Sequence, residues 1–384
     1  MNEFLTTLLA FIAGAWVFQA GRIFLGMSRL PRLEDFAPLP AEQCASVSIL
    51  VAARDEAQKF PQALESLGAV DYPRLEVVAV DDRSTDATGA ILDELAVRLP
   101  RIRPIHIREL PAGWLGKPHA LQQAYEASGG DWLVFTDADV RFAPELLRRA
   151  MNLALAKNLD HLSLMPRTDM HTVGEKIACT SWMLGFASFV QPWKASDPRS
   201  RQYIGVGAFQ LIRREVYEAI GTHRRLAMEV VDDMKLGKLV KLGGYRSGVA
   251  LAEHWLGLHW QDGLVNIIRG LTKNTFAALG YKLEVVFLAG FAQFCFSILP
   301  FLALPFVSGA GFWFALAACA VPVLGQAAVC RHAQVSPLYG LTHPLGALIM
   351  EYILLRSTVV TLWHGGVTWR ETFYPLEQLR KGVV

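Results

Sequence analysis

Asp131-Trp132-Leu133-Val134-Phe135-Thr136-Asp137-Ala138-Asp139-Val140 decides the fold. A short apolar run, rich in Val and Phe and too short for a helix, stops at two acids with one residue between them. Such a run reads as a buried strand of a parallel sheet. Open α/β sheets bind ligands beyond the carboxyl ends of their strands, which is where Asp137 and Asp139 fall. Two hard oxygen donors suit Mg²⁺ or Mn²⁺ carrying phosphate oxygens as further ligands. Taken alone, Asp-x-Asp is equally a pair of solvated turn acids, so the surrounding pattern has to decide.

Working outward, Val47–Ala53 reads as a first strand running into Arg54-Asp55-Glu56. Leu75–Val80 reads as a second, ending in Asp81-Asp82. Ile102–Ile107 is a third. Helical stretches alternate with these strands: one carries Leu64 and Leu67, one spans Ala87–Leu99, and one spans His119–Ala127 after the glycine-rich loop Gly113–Lys117. This alternation predicts an α/β domain built on a mostly parallel, doubly wound sheet. Strands in this half end repeatedly in polar clusters, which points to a nucleotide with a metal. No Gly-x-Gly-x-x-Gly and no Gly-x-x-x-x-Gly-Lys-Ser/Thr is present, so a dinucleotide or P-loop site is disfavoured.

The net charge of +2 and the lack of a basic block argue against nucleic-acid binding. The five cysteines are scattered with no Cys-x-x-Cys, which disfavours a zinc site or disulfide framework and fits a reducing compartment. Phe4–Phe24 is mostly apolar and long enough to span a bilayer. A cleaved signal peptide is disfavoured, because the segment lacks a basic leader and a clear small-residue cleavage site. Arg22, Arg29 and Arg32 follow it, so the positive-inside rule places residue 30 onward in the cytoplasm. Val285–Cys330 holds no charged residue. Leu283–Val307 and Gly311–Cys330 read as a membrane hairpin. Pro344–Trp363 is a further apolar stretch, but it contains Glu351 and Arg356, and the basic tail after it would favour the cytoplasm. The expected organisation is an N-terminal transmembrane helix (1–30), a linker (31–46), a catalytic α/β domain (47–282), transmembrane helices (283–364) and a basic tail (365–384).

Val47–Glu56, Val77–Asp86, Gly116–Leu121, Phe135–Val140, Tyr203–Arg213 and Val231–Leu236 resemble, in this order, the successive motifs of family 2 glycosyltransferases with the GT-A fold. With its apolar segments, the chain looks most like the bacterial branch associated with hopanoid and carotenoid pathways. The resemblance implies a uridine-type base near Ala53, Arg54 and Glu56, with Asp81 or Asp82 bonding the uracil. It places Lys117 near the donor diphosphate, Asp137 at the ribose or metal, and Asp139 on the metal. Asp232-Asp233 matches the family's acidic pair, with Asp233 as the base that takes the acceptor proton in a single inverting displacement. Plainer alternatives exist for each group. Carboxylates at Asp55, Glu56, Asp232 and Asp233 would serve as helix N-caps, and Lys117 as a solvated loop residue.

The chain departs from processive members of the family, which carry Gln-x-x-Arg-Trp after the base. Here Gly263–Asn274 offers only Arg269 and Lys273 on one helical face. His254-Trp255 and His259-Trp260 read as acceptor-site aromatics or as core. The expectation is a multi-pass enzyme of the bacterial inner membrane that moves a sugar from a nucleotide donor, a UDP-sugar, to a hopanoid- or carotenoid-like lipid. Two other readings are a nucleotidyltransferase, which would carry a basic glycine-rich loop after the first strand, and a non-catalytic membrane protein with an inert domain.

Overall fold

The computed structural model describes residues 2–384. They divide into two compact units. One comprises Leu30–Asp169, Pro192–Trp260 and Thr368–Val384; the other holds residues up to Arg29, Met170–Gln191 and Gln261–Val367.

Ten strands of the first unit make up its two larger sheets: β1 Val47–Ala53, β2 Leu75–Asp82, β3 Ile102–Ile107, β4 Trp132–Asp137, β5 Val140–Phe142, β6 His161–Met165, β7 Arg167–Thr168, β8 Gln210–Arg213, β9 Ser247–Leu251 and β10 Leu256–Leu258. Seven form one sheet in the order β3-β2-β1-β4-β8-β6-β9, and β5-β10-β7 form a second. β1 pairs in parallel with β2 and with β4, and β2 with β3. β8 alone in the large sheet runs antiparallel, to β4 and to β6. The mixed α/β class and mostly parallel sheet expected from the sequence are therefore found.

Alternation along the strands explains why both faces are covered. Ile49 and Val51 of β1 pack with Val77, Ala79 and Val134 under helices Phe60–Gly68, Thr88–Arg98 and Leu146–Ala156. Leu50, Val78, Val80, Leu133 and Phe135 face the other way, onto helices Gly116–Glu126, Arg214–Ala219 and Asp232–Leu242. A strand buried on two faces has no polar side to show, hence the unbroken apolar runs. β1 carries the chain outward through β2 to β3, and β4 then starts on its other flank. The strand order thus reverses between β1 and β4, the place where such sheets open a ligand crevice.

Helix Gly116–Glu126 begins earlier than the expected His119, so Gly116 and Lys117 belong to its first turn rather than to a loop. Pro118 does not prevent this, because first-turn N–H groups have no intrahelical acceptor. The stretch around His254–Trp260 packs within this unit. The Arg149 guanidinium lies 4.1 Å from the Trp255 ring centroid, and Trp255 and Trp260 pack against the core, as in the plainer of the two readings.

The second unit is helical. Four of its stretches, Glu3–Met27, Leu283–Phe306, Ala310–His332 and Pro337–His364, are long and apolar enough to cross a membrane. Helix Val173–Val190, which the sequence reading did not single out, belongs to this unit. Leu9 packs on Ala303 and Ala315, and Ile12 and Ala13 on Ala318. Large apolar side chains nonetheless point outward, Phe4 at 77%, Phe287 at 75% and Trp363 at 84% exposure. A surface of that kind in contact with water would drive aggregation. Inside, Gln326 accepts from Ser181 Oγ (3.2 Å), donates to Thr180 Oγ1 (3.2 Å) and bonds His343 Nδ1 (3.0 Å).

Candidate active site

The site forms where β1, β2 and β4 end. Asp137 is the last residue of β4, opposite Ala52 of β1. Asp139 follows in the turn before β5. Lys117 reaches into the same place from the first turn of its helix. Its Nζ lies 2.7 Å from Asp137 Oδ1 and 3.6 Å from Asp232 Oδ2. Burial alone would lower the Lys117 pKa, but Asp137, Asp232 and Asp233 together raise it, so the ammonium is held charged. Lys117 is therefore not a solvated loop residue. It is the cation that joins the β4 end to the acidic pair.

Asp232 and Asp233 open helix Asp232–Leu242, whose N-cap residue, Val231, makes no side-chain cap. Asp233 Oδ1 accepts from the Met234 N–H (2.7 Å) and Oδ2 from the Gly207 N–H (3.0 Å). Burial raises the Asp233 pKa, opposed by Lys117 and reinforced by Asp137. The loop that brings the Gly207 N–H here runs so close that a Cβ at Gly205 would sit 1.8 Å from the Asp233 carbonyl oxygen. A Cβ at Gly207 would sit 2.5 Å from Asp137 Oδ2 and 3.2 Å from Asp233 Oδ2. Gly205-Val206-Gly207 is thus the strip of backbone that lets the two acids approach.

His223, which the sequence reading missed, stands behind Asp232, with Nε2 3.9 Å from Oδ2. The Tyr217 hydroxyl accepts from the His223 backbone N–H (2.9 Å) and bonds the ring at Nδ1 (2.6 Å). Burial and Lys117 push the His223 pKa down to about 3, so the ring is neutral. No sequence signal marks it: it is one of ten histidines, and the fold alone selects it.

The remaining expected residues gather at the ends of β1 and β2. Asp82 holds Arg83 through two hydrogen bonds, 2.7 and 3.0 Å. Asp81 is turned to local structure, accepting from Ser84 N–H (3.2 Å) and bonding His106 Nδ1 (3.0 Å). Asp55 does not cap the helix that follows it; Oδ1 accepts from the Thr85 N–H (2.7 Å) and Thr85 hydroxyl (3.2 Å), tying the β1 and β2 ends together. Nor does Glu56, whose carboxylate pairs with Arg370 and whose N–H donates to Thr88 Oγ1 (2.9 Å). Asp55 and Arg83 both have φ in the left-handed region, 52° and 57°, a strain that clusters at ligand-binding ends.

Among the described residues, no group of three or more His, Cys, Asp or Glu side chains could hold a metal by itself. The donor set fits a different mode. Mg²⁺ is commonly held by one or two carboxylates plus substrate phosphates. Asp139 suits that role: burial, then Asp137 and Glu56, push its pKa up to about 7, a field that a divalent cation would relieve.

Residues 48–221 match the family model for glycosyl transferase family 2. The chain is 33% identical over 156 residues to beta-monoglucosyldiacylglycerol synthase of Synechocystis, covering 38% of this chain and 32% of that protein. It is 24% identical over 199 residues to 4,4'-diaponeurosporenoate glycosyltransferase of Staphylococcus haemolyticus, covering 51% and 52%. The chain thus spans between a third and about half of these curated relatives. Among solved structures it is similar to the mannosyltransferase PcManGT from Pyrobaculum calidifontis in complex with GDP-Man and Mn²⁺. That likeness is 21% identical, covers 93% of this chain and 99% of that one, and has a TM-score of 0.49. The sheet order and the switch point agree with the match of residues 48–221 to the glycosyl transferase family 2 model.

Proposed function

We propose that the protein is a membrane-bound, inverting glycosyltransferase that moves a sugar from a UDP-sugar to a lipid hydroxyl. The observation that carries this reading is the convergence of Asp137, Lys117 and Asp233 at the reversal of strand order, with Asp139 beside them. In the reaction, the acceptor oxygen forms a bond to the anomeric carbon while the bond from that carbon to the phosphate oxygen breaks. The electron pair leaves with the nucleoside diphosphate, and the acceptor proton passes to Asp233. Burial favours the protonated form of Asp233, which makes its carboxylate a stronger base than one in water. Gly207 and Met234 fix that carboxylate in place. Asp232 and Asp137 keep Lys117 charged where negative charge builds on the leaving group. A divalent cation held by Asp139 and Asp137, Mg²⁺ or Mn²⁺, would neutralise the same charge. Ala53, Arg54, Glu56 and Asp82, at or just after the ends of β1 and β2, are the residues we assign to the base and ribose.

A lipid acceptor is supported by two observations. The name of one curated relative describes a glycolipid product, a monoglucosyldiacylglycerol, and that of the other describes glycosyl transfer involving 4,4'-diaponeurosporenoate, and the helical unit exposes large apolar side chains. A hopanoid- or carotenoid-like lipid fits the resemblance best. Parity supports one membrane topology. Segments Pro192–Trp260 and Thr368–Val384 belong to the same compact unit and so lie on one side of the bilayer. The chain between them must cross an even number of times, although it holds three candidate spans. We take Leu283–Phe306 and Ala310–His332 as the crossing pair. Pro337–His364, with Glu351 and Arg356 in it, then returns to the cytoplasmic face, which removes the conflict with the basic tail.

The test is thermal unfolding of the purified protein with UDP and Mn²⁺. A ligand bound only by the folded state raises the melting point by mass action, about 2.7 kcal/mol at a hundredfold excess over Kd. Asp139→Asn should lose the metal-dependent part of the rise. An unchanged melting point for the unaltered protein at saturating UDP and metal would remove the donor reading.

A further inference from the structure

The last segment of the catalytic unit, Thr368–Val384, contributes to the nucleotide end of the site. It is anchored there: Leu379 is fully buried and Tyr374 nearly so, and Lys235 and Lys238 donate to the Val384 carbonyl oxygen at 2.8 and 2.6 Å. From this anchor, Thr372 Oγ1 meets the Arg54 guanidinium at 3.5 Å. Tyr374 lies beside Arg83. The Arg370 guanidinium pairs with the Glu56 carboxylate and approaches the Asp55 carbonyl oxygen at 3.5 Å. One short segment therefore touches the ends of both β1 and β2.

The turn that presents Arg370 is unusual. Arg370 and Glu371 have φ of 46° and 65°, the paired left-handed conformation of a tight turn that ordinarily carries Asn-Gly. Two side-chain-bearing residues stand where glycine would be easiest, and the outcome is a guanidinium aimed at the crevice. Arg370 keeps 42% of its side chain exposed, so donors remain free to face a ligand on the open side. Its partner Glu56 is close enough to Asp137 and Asp139 to interact with both. Arg370 is thus one carboxylate away from the acids assigned to the donor and metal.

We propose that Arg370 is a donor-site residue: as a nucleoside diphosphate enters, its guanidinium exchanges the Glu56 carboxylate for the phosphate oxygens. The inference rests on the glycosyltransferase reading. The exchange is chemically even, since a guanidinium fork accepts a carboxylate or a phosphate in the same two-point geometry. It also leaves the Glu56 carboxylate, beside Lys59, free to face the ribose hydroxyls.

The test is calorimetric titration of the full chain in detergent with UDP and with uridine, both with Mg²⁺, for the unaltered protein, Arg370→Ala and Arg370→Lys. Losing a charge-assisted hydrogen-bonded pair should weaken UDP binding ~10-fold or more in Arg370→Ala, leave uridine unchanged, and be partly restored in Arg370→Lys. Equal UDP affinity in all three proteins would overturn the proposal. So would an equal weakening for uridine and UDP, because that is the mark of an anchor for the tail and not of a phosphate contact. Failure of the unaltered protein to bind UDP at all would instead remove the donor reading, and this inference with it.

Discussion

Asp233→Asn separates chemistry from binding. The substitution keeps the shape of the side chain and removes its ability to take a proton. Its structural cost can be worked from the contacts. Asp233 accepts two backbone N–H groups, from Met234 and Gly207. An amide offers only one oxygen, so one of these N–H groups loses its acceptor, at ~1–3 kcal/mol. Against this, a buried carboxylate that burial and Asp137 disfavour is removed, and Lys117 keeps Asp137 and Asp232 as partners. The two effects oppose each other, so the melting point should move by only a few degrees. Catalysis has no such offset. Loss of a positioned base lowers kcat by ~10²–10⁴, about 3–5 kcal/mol of transition-state stabilisation. Donor affinity should stay within about threefold, since a base acts on the acceptor proton and not on the bound nucleotide. The assay is initial-rate transfer of labelled sugar into an organic phase, with calorimetric UDP titration on the same preparation. In the unaltered enzyme kcat/KM should fall on acidification, with a midpoint above the usual carboxylate range because Asp233 is raised. The residual activity of the variant should lack that limb. A variant with kcat within about fivefold of the parent, or one that loses UDP binding as steeply as turnover, would refute the assignment.

Three further outcomes follow from the same geometry. Gly207→Ala places a methyl group 2.5 Å from Asp137 Oδ2; overpacking of this kind costs ~1–3 kcal/mol, so rate assays should show a loss of at least tenfold while circular dichroism shows a folded protein. His161 is buried against Ser247 Oγ (2.9 Å) and Gln210 Oε1 (3.0 Å), with a pKa pushed down to about 4; its stabilisation is complete above the unfolded value of about 6.5 and is lost as pH falls toward 4, about 3 kcal/mol in all, so His161→Gln should flatten the melting-point profile over that range. In a background without the native cysteines, Ser308→Cys should react with a membrane-impermeant thiol reagent on intact cells, whereas Ser336→Cys and Gly366→Cys should stay protected until the cells are opened; labelling of Gly366→Cys in intact cells would contradict the even number of crossings.

What the sequence made legible was local. The strands of the β1 to β4 half stood out because burial on two faces demands unbroken apolar runs, and the acids mattered because they fall where those runs stop. Asp137, Asp139 and Asp82 could be picked out on that ground, and Asp233 through its motif. What could not be read was which charge meets which. Lys117 sits on a helix whose start was hidden by Pro118, and its pairing with Asp137 and Asp232 exists only once β4 and helix Asp232–Leu242 are side by side. The same holds for Gly205 and Gly207, whose role is to leave room for a neighbour distant in sequence. It holds again for His223, an ordinary histidine until Tyr217 and Asp232 close around it. Arg370 is the extreme case. A turn of two residues with positive φ and no glycine carries no propensity signal, and a basic tail after an apolar helix reads as a membrane-surface charge. The packing of Leu379 and Tyr374, with the bonds from Lys235 and Lys238 to Val384, holds the tail to the catalytic unit. That packing bears on two proposals at once, the even number of membrane crossings and the part of Arg370 in donor binding.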